Sequence, residues 1–138
     1  MKQFVISVVV LFIVSLGLGF VVHAVVLKDD YAKLPNLMRT EADGARHFPA
    51  MLVAHLVLAT GVTAIYRRGR EPGKGWMGQG VRFGFWFAVA SCIPMYLIYY
   101  AVQPMPLSLV EKQLVLDTIC TVILGIAAAG LNKLPASA

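Results

Sequence analysis

The chain has 138 residues, a length for one domain, of which 59% are apolar and 14% charged. Soluble domains carry roughly 45–50% and 25%, so the composition excludes an ordinary soluble globule and points to an integral membrane protein. The formal net charge is +5, but the basic residues lie between apolar runs, where they orient membrane helices, and no nucleic-acid partner is expected. Both cysteines, Cys92 and Cys120, fall inside apolar runs without a CxxC spacing, which excludes a disulfide-stapled secreted scaffold.

The first apolar run, residues 4–27, follows a single Lys2 and is long enough to cross a bilayer. A signal peptide is the competing reading, with Val22-His23-Ala24 as its cleavage site. The apolar stretch exceeds the roughly 7–15 residues of such a core, so the segment is expected to be retained. Ser15, Gly19 and His23 recur every four residues and form one less apolar stripe.

Residues 28–47 form the longest connection, with four basic and four acidic side chains. Tyr31, Leu34 and Met38 fall at helical spacing, which predicts either a short amphipathic helix lying on the membrane and capping the bundle, or a solvated loop. The second span covers residues 48–66, with Pro49 in its first turn, where proline is tolerated. It carries His55 about two turns in, and Ala59 and Thr63 continue that side.

Arg67, Arg68, Arg70 and Lys74, interrupted by glycines and Pro72, make a basic turn. Trp76 follows as an interfacial anchor. The third span covers residues 79–102 and is expected to kink at Pro94. Gly80 and Gly84 form a GxxxG that lets another helix approach closely, while Arg82 between them is expected to snorkel to the interface. Cys92, Tyr96, Tyr99 and Gln103 share one polar face.

The connection Gln103-Pro-Met-Pro106 is short and stiff, so the third and fourth spans should be antiparallel neighbours. The fourth span, residues 109–131, holds Asp117 well inside. A carboxylate at that depth costs roughly 2.5–3.5 kcal/mol on insertion scales and normally faces the bundle interior with a partner. Gln113, Cys120, Thr121 and Gly125 form the polar or small stripe around it, whereas Leu114, Val115, Val122, Ile123 and Ile126 suit lipid.

Basic residues set the orientation. With both termini cytoplasmic, that side holds Lys2, Arg67, Arg68, Arg70, Lys74, Arg82 and Lys133, against Lys28, Lys33, Arg39, Arg46 and Lys112 opposite. The expected fold is therefore all-α: an antiparallel up-down bundle of four transmembrane helices, N-in and C-in, in a bacterial inner membrane. At about 1.5 Å per residue, His23, His55, Tyr96, Tyr99 and Asp117 then lie roughly 5–14 Å below the outer surface. They come from all four spans.

That convergence predicts a polar pocket in the outer half, built from Asp117, His55, His23, Tyr96, Tyr99 and Gln113. Its expected use is to bind or move a small solute or a proton, with Asp117 titrating and a histidine as relay. A haem b or metal site would instead require His23 and His55 on facing helices, and lipid or quinone chemistry would use His and Asp as acid and base under a 28–47 lid. A non-catalytic subunit of a larger membrane complex needs none of these. No nucleotide loop, nucleophile elbow or zinc signature is present, and no catalytic residue is assigned. The expected partners are the bilayer and either further copies of the chain or a larger membrane complex. The closest ionisable neighbour of Asp117 is expected to be His55 or His23, with Lys112 as the rival.

Overall fold

The computed structural model of the protein describes residues 1–134. It is all-helical, with no strand among the described residues. Helix α1 spans Lys2–Gly19 and runs without a break into a π-helical turn, Phe20–Val26. A short helix α2, Lys28–Ala32, follows. The remaining helices are α3 Glu41–Arg68, α4 Trp76–Ala90, α5 Cys92–Val102 and α6 Leu107–Leu131. Four continuous stretches are long and apolar enough to cross a membrane: Lys2–Val26, Glu41–Arg68, Trp76–Val102 and Leu107–Leu131.

The helix that carries the apolar run 48–66 begins earlier, at Glu41, because Thr40 caps it: the Asp43 amide donates to Thr40 Oγ1 at 3.3 Å. Arg39 and His47 both engage Asp43 on the helix flank, so the polar residues before the apolar run extend the helix. Pro49 therefore lies inside it, beyond the first turn. The expected amphipathic helix of the connection is reduced to α2 and the turns that follow it.

The third stretch is interrupted at Ser91 (φ −126°, ψ −85°), one turn before Pro94. Proline has no N–H to offer the carbonyl of residue 90 and its ring crowds it, so the chain breaks where that bond would form. At the break the Ser91 amide donates to the Ala88 carbonyl at 3.2 Å, and its hydroxyl takes over the Phe87 carbonyl at 2.5 Å.

Neighbouring stretches run antiparallel. Gly80 and Gly84 of α4 meet Gly125 and Thr121 of α6 in reverse order. A Cβ on Gly125 would stand 2.3 Å from the Gly80 carbonyl oxygen, so backbone touches backbone and only glycine fits. Ile126, expected on an outward face, instead lies against Gly80. Along α1 and α6, Gln3 donates to the Leu131 carbonyl at 2.5 Å, Ser7 meets Asn132, and His23 meets Asp117. Ser15 of α1 meets His55 of α3. Helix α6 is thus flanked by α1 and by α4–α5, and α3 packs on α1.

The core lies at the Arg67 end, where Val8 and Leu11, Ala59 and Val62, and Leu124 and Ala128 close together. At the other end Tyr31 and Leu34 fold over Val22, Leu27 and Leu109, so α2 and its turn cap the bundle. Val9, Ile13, Val53, Val57, Trp86, Ile98, Val115 and Ile119 are exposed; the outward surface of the long helices is apolar.

Candidate functional site

Asp117 and Gln113 lie four residues apart on α6, and hence on one face. That face receives side chains from three other segments. Tyr96 of α5 donates its hydroxyl to Asp117 Oδ2 in a short hydrogen bond. The break at Ser91 redirects α5, and Tyr96 ends up buried beside Ala88, Cys92 and Val110.

His23 comes from the π-helical turn. There the Leu27 amide bonds to the Val22 carbonyl, five residues back; the wider turn rotates the residues within it relative to α1. Ser15 and Gly19 consequently face His55 of α3, whereas His23 faces α6. His23 Nε2 lies 3.5 Å from Asp117 Oδ1, and Nδ1 lies 2.7 Å from the Tyr31 hydroxyl.

Tyr31, on α2, completes the group. Gln113 Nε2 donates to its hydroxyl oxygen at 3.1 Å. The direction of the His23–Tyr31 hydrogen bond follows the imidazole tautomer: in the neutral form with Nδ1 unprotonated, the Tyr31 hydroxyl donates to it and Nε2 carries the hydrogen that faces Asp117. The chain of contacts is continuous: Gln113 to Tyr31 to His23 to Asp117, with Tyr96 closing on the other carboxylate oxygen. Burial pushes the Tyr31 phenol up, and the negative charges of Asp117 and Asp30 add to the shift.

Lys112, the rival partner for Asp117, goes elsewhere. Its Nζ donates to Asp30 Oδ2 at 2.7 Å, and Lys33 stands 3.8 Å from the same carboxylate. Asp30 is held below the usual carboxylate range, chiefly by the Lys112 hydrogen bond. This ion pair ties α2 to α6 beside the Tyr31 contact.

Of the residues singled out in the sequence, Asp117, His23, Tyr96 and Gln113 come together. His55 meets Ser15 instead of Asp117, 3.1 Å from Nδ1 to Oγ. Tyr99 is exposed. Sequence reasoning passed over Tyr31 as a site residue; its place on the apolar face shared with Leu34 was the available signal. Gln113 Oε1 is buried without a hydrogen-bond partner. Cys92 and Cys120 are free thiols. Among the described residues, no three His, Cys, Asp or Glu side chains are disposed to hold a metal ion. Two cavities lie at the opposite end, beside Tyr66 and Gln79.

No protein-family model matches the chain, and no curated protein or solved structure matches it either.

Proposed function

We propose that the protein is a four-span inner-membrane protein, with both termini cytoplasmic, that binds or moves a proton or small protonatable solute at Asp117. The observation that carries this reading is the meeting of Tyr96, His23 and, through His23, Tyr31 on one intrahelical carboxylate. An ionisable group within an apolar helix is costly and marks a pathway or a binding site. Its neighbours suit proton handling. Asp117 accepts and releases the proton, Tyr96 holds one of its oxygens, and His23 faces Asp117 with one ring nitrogen and Tyr31 with the other. Imidazole can take up a proton at one nitrogen and release it at the other. Tyr31 stands between this relay and the connection that leads to solvent.

Purified protein in vesicles enclosing a pH-sensitive dye tests the reading, with a potassium diffusion potential as the driving force. The expected result is proton flux above that of empty vesicles, lost in Asp117→Asn, reduced in His23→Gln and unchanged in Tyr99→Phe. Wild-type vesicles no more permeable than empty ones, or an Asp117→Asn variant as active as the wild type, would refute it. A foreign protein co-purifying in fixed stoichiometry would favour a subunit role instead.

A further inference from the structure

The end of the bundle opposite Asp117 holds a cavity of about 360 Å³, lined by the 70–76 turn and the end of α6. That volume falls within the roughly 300–1,000 Å³ typical of ligand sites. Three of its side chains, Arg70, Lys74 and Lys133, are cationic, and Glu71 is its single acid. Glu71 is already engaged by Lys74 and by Arg82 from α4. Arg70 donates only to backbone carbonyls, Nε to Arg67 at 3.1 Å and a terminal nitrogen to Asn132 at 3.0 Å. Lys133 lies 4.2 Å above the Trp76 ring. Neither Arg70 nor Lys133 has an acidic partner among the described residues.

The turn that carries these charges is built. Gln79 accepts from the Glu71 amide at 2.8 Å and donates to the Glu71 and Lys74 carbonyls at 3.1 and 2.9 Å. Asn132, also in the lining, is 2% exposed, and its side-chain oxygen has no hydrogen-bond partner. Its amide nitrogen donates to Ser7 Oγ at 3.1 Å and to the Ala128 carbonyl at 2.9 Å, which fixes the side chain against α1. A second cavity of about 190 Å³ shares Tyr66 and Gln79 with the first and continues along α4 past Phe83 to Trp86.

We propose that the larger cavity binds the phosphate of an anionic phospholipid. Arg70 and Lys133 meet the phosphate, and an acyl chain follows the second cavity down the exposed apolar face of α4. Basic pockets between the cytoplasmic ends of membrane helices suit such headgroups. The apolar continuation distinguishes a lipid from free phosphate. The inference rests on the reading of the long helices as membrane spans, but not on the role of Asp117.

Both tryptophans of the chain line these cavities, so their emission reports occupancy. Full-length protein in neutral detergent is titrated with short-chain phosphatidylglycerol, phosphatidylcholine or inorganic phosphate. The expected result is a saturable change with phosphatidylglycerol, at least tenfold weaker with phosphatidylcholine or inorganic phosphate. Replacing Arg70 and Lys133 together by Gln should weaken binding at least tenfold. Glu71→Gln removes the competing acid and should tighten it severalfold, while Asp117→Asn leaves it unchanged. Equal binding of the two lipids, or weaker binding in Glu71→Gln, overturns the proposal. Inorganic phosphate binding as tightly as the lipid overturns the lipid as the source.

Discussion

Tyr31 joins three parts of the chain through one hydroxyl, which accepts from Gln113 and faces His23. Tyr31→Phe would leave the whole Gln113 amide buried without a partner, a loss of about 1–3 kcal/mol. Thermal unfolding in detergent should show that loss, and should show Tyr99→Phe, at an exposed position, within about 0.5 kcal/mol of wild type. Asp30 adds a pH dependence. Its carboxyl is depressed by the Lys112 hydrogen bond, so the tie contributes fully above the ordinary aspartate value of about 3.9. It is lost as the pH falls through the lower, folded value. Protection of the amides of residues 28–34 from hydrogen exchange, taken relative to the unstructured rate at each pH, should accordingly hold from neutrality down to about pH 4 and fall only below it; protection already falling near neutrality would rule the tie out. Asp117, His23, Tyr96 and Gln113 were legible in the sequence because polar groups inside apolar helices are expensive and must find one another. Tyr31 was not, since a tyrosine in a polar connection costs nothing.

At the scale of the helices, length and hydropathy located all four apolar stretches, but local hydrogen bonding set details that periodicity does not carry. The Thr40 cap starts α3 early, and the π-helical turn sends His23 to α6 while leaving His55 with Ser15. An unbroken α-helical stripe of Ser15, Gly19 and His23 would have kept the two histidines on one side. The GxxxG was visible as a motif, yet its partner, Gly125, emerged only from the packing of α4 on α6. That packing makes a contrast between two glycines. A methyl group at Gly125 collides with the Gly80 backbone, whereas at Gly61 it meets nothing within 4 Å. Gly125→Ala should destabilise by about 1–3 kcal/mol or more, as overpacking does. Gly61→Ala should be neutral or stabilising by up to about 1 kcal/mol, from helix propensity alone. Thermal unfolding of the two variants checks both; equal effects would contradict the close α4–α6 contact.

At the scale of the whole molecule, the proposed orientation puts the Arg67–Lys74 turn in the cytoplasm. A cysteine at Gly75, where a side chain meets nothing within 4 Å, should react with an impermeant thiol reagent only after the inner face is opened. Labelling in intact cells would invert the topology and bring the Asp117 cluster to the cytoplasmic side. The central claim is that residues from the π-helical turn, α5 and α6 form one shared site around Asp117. Double-mutant cycles on unfolding free energy measure it directly, pairing Asp117→Asn in turn with Tyr96→Phe, His23→Ala and His55→Ala. Groups in contact couple by about 0.5–3 kcal/mol, and independent ones add within about 0.3–0.5 kcal/mol. The account predicts coupling for Tyr96 and His23, with Tyr96 the stronger, and near-additivity for His55. Additivity at both Tyr96 and His23 would contradict it.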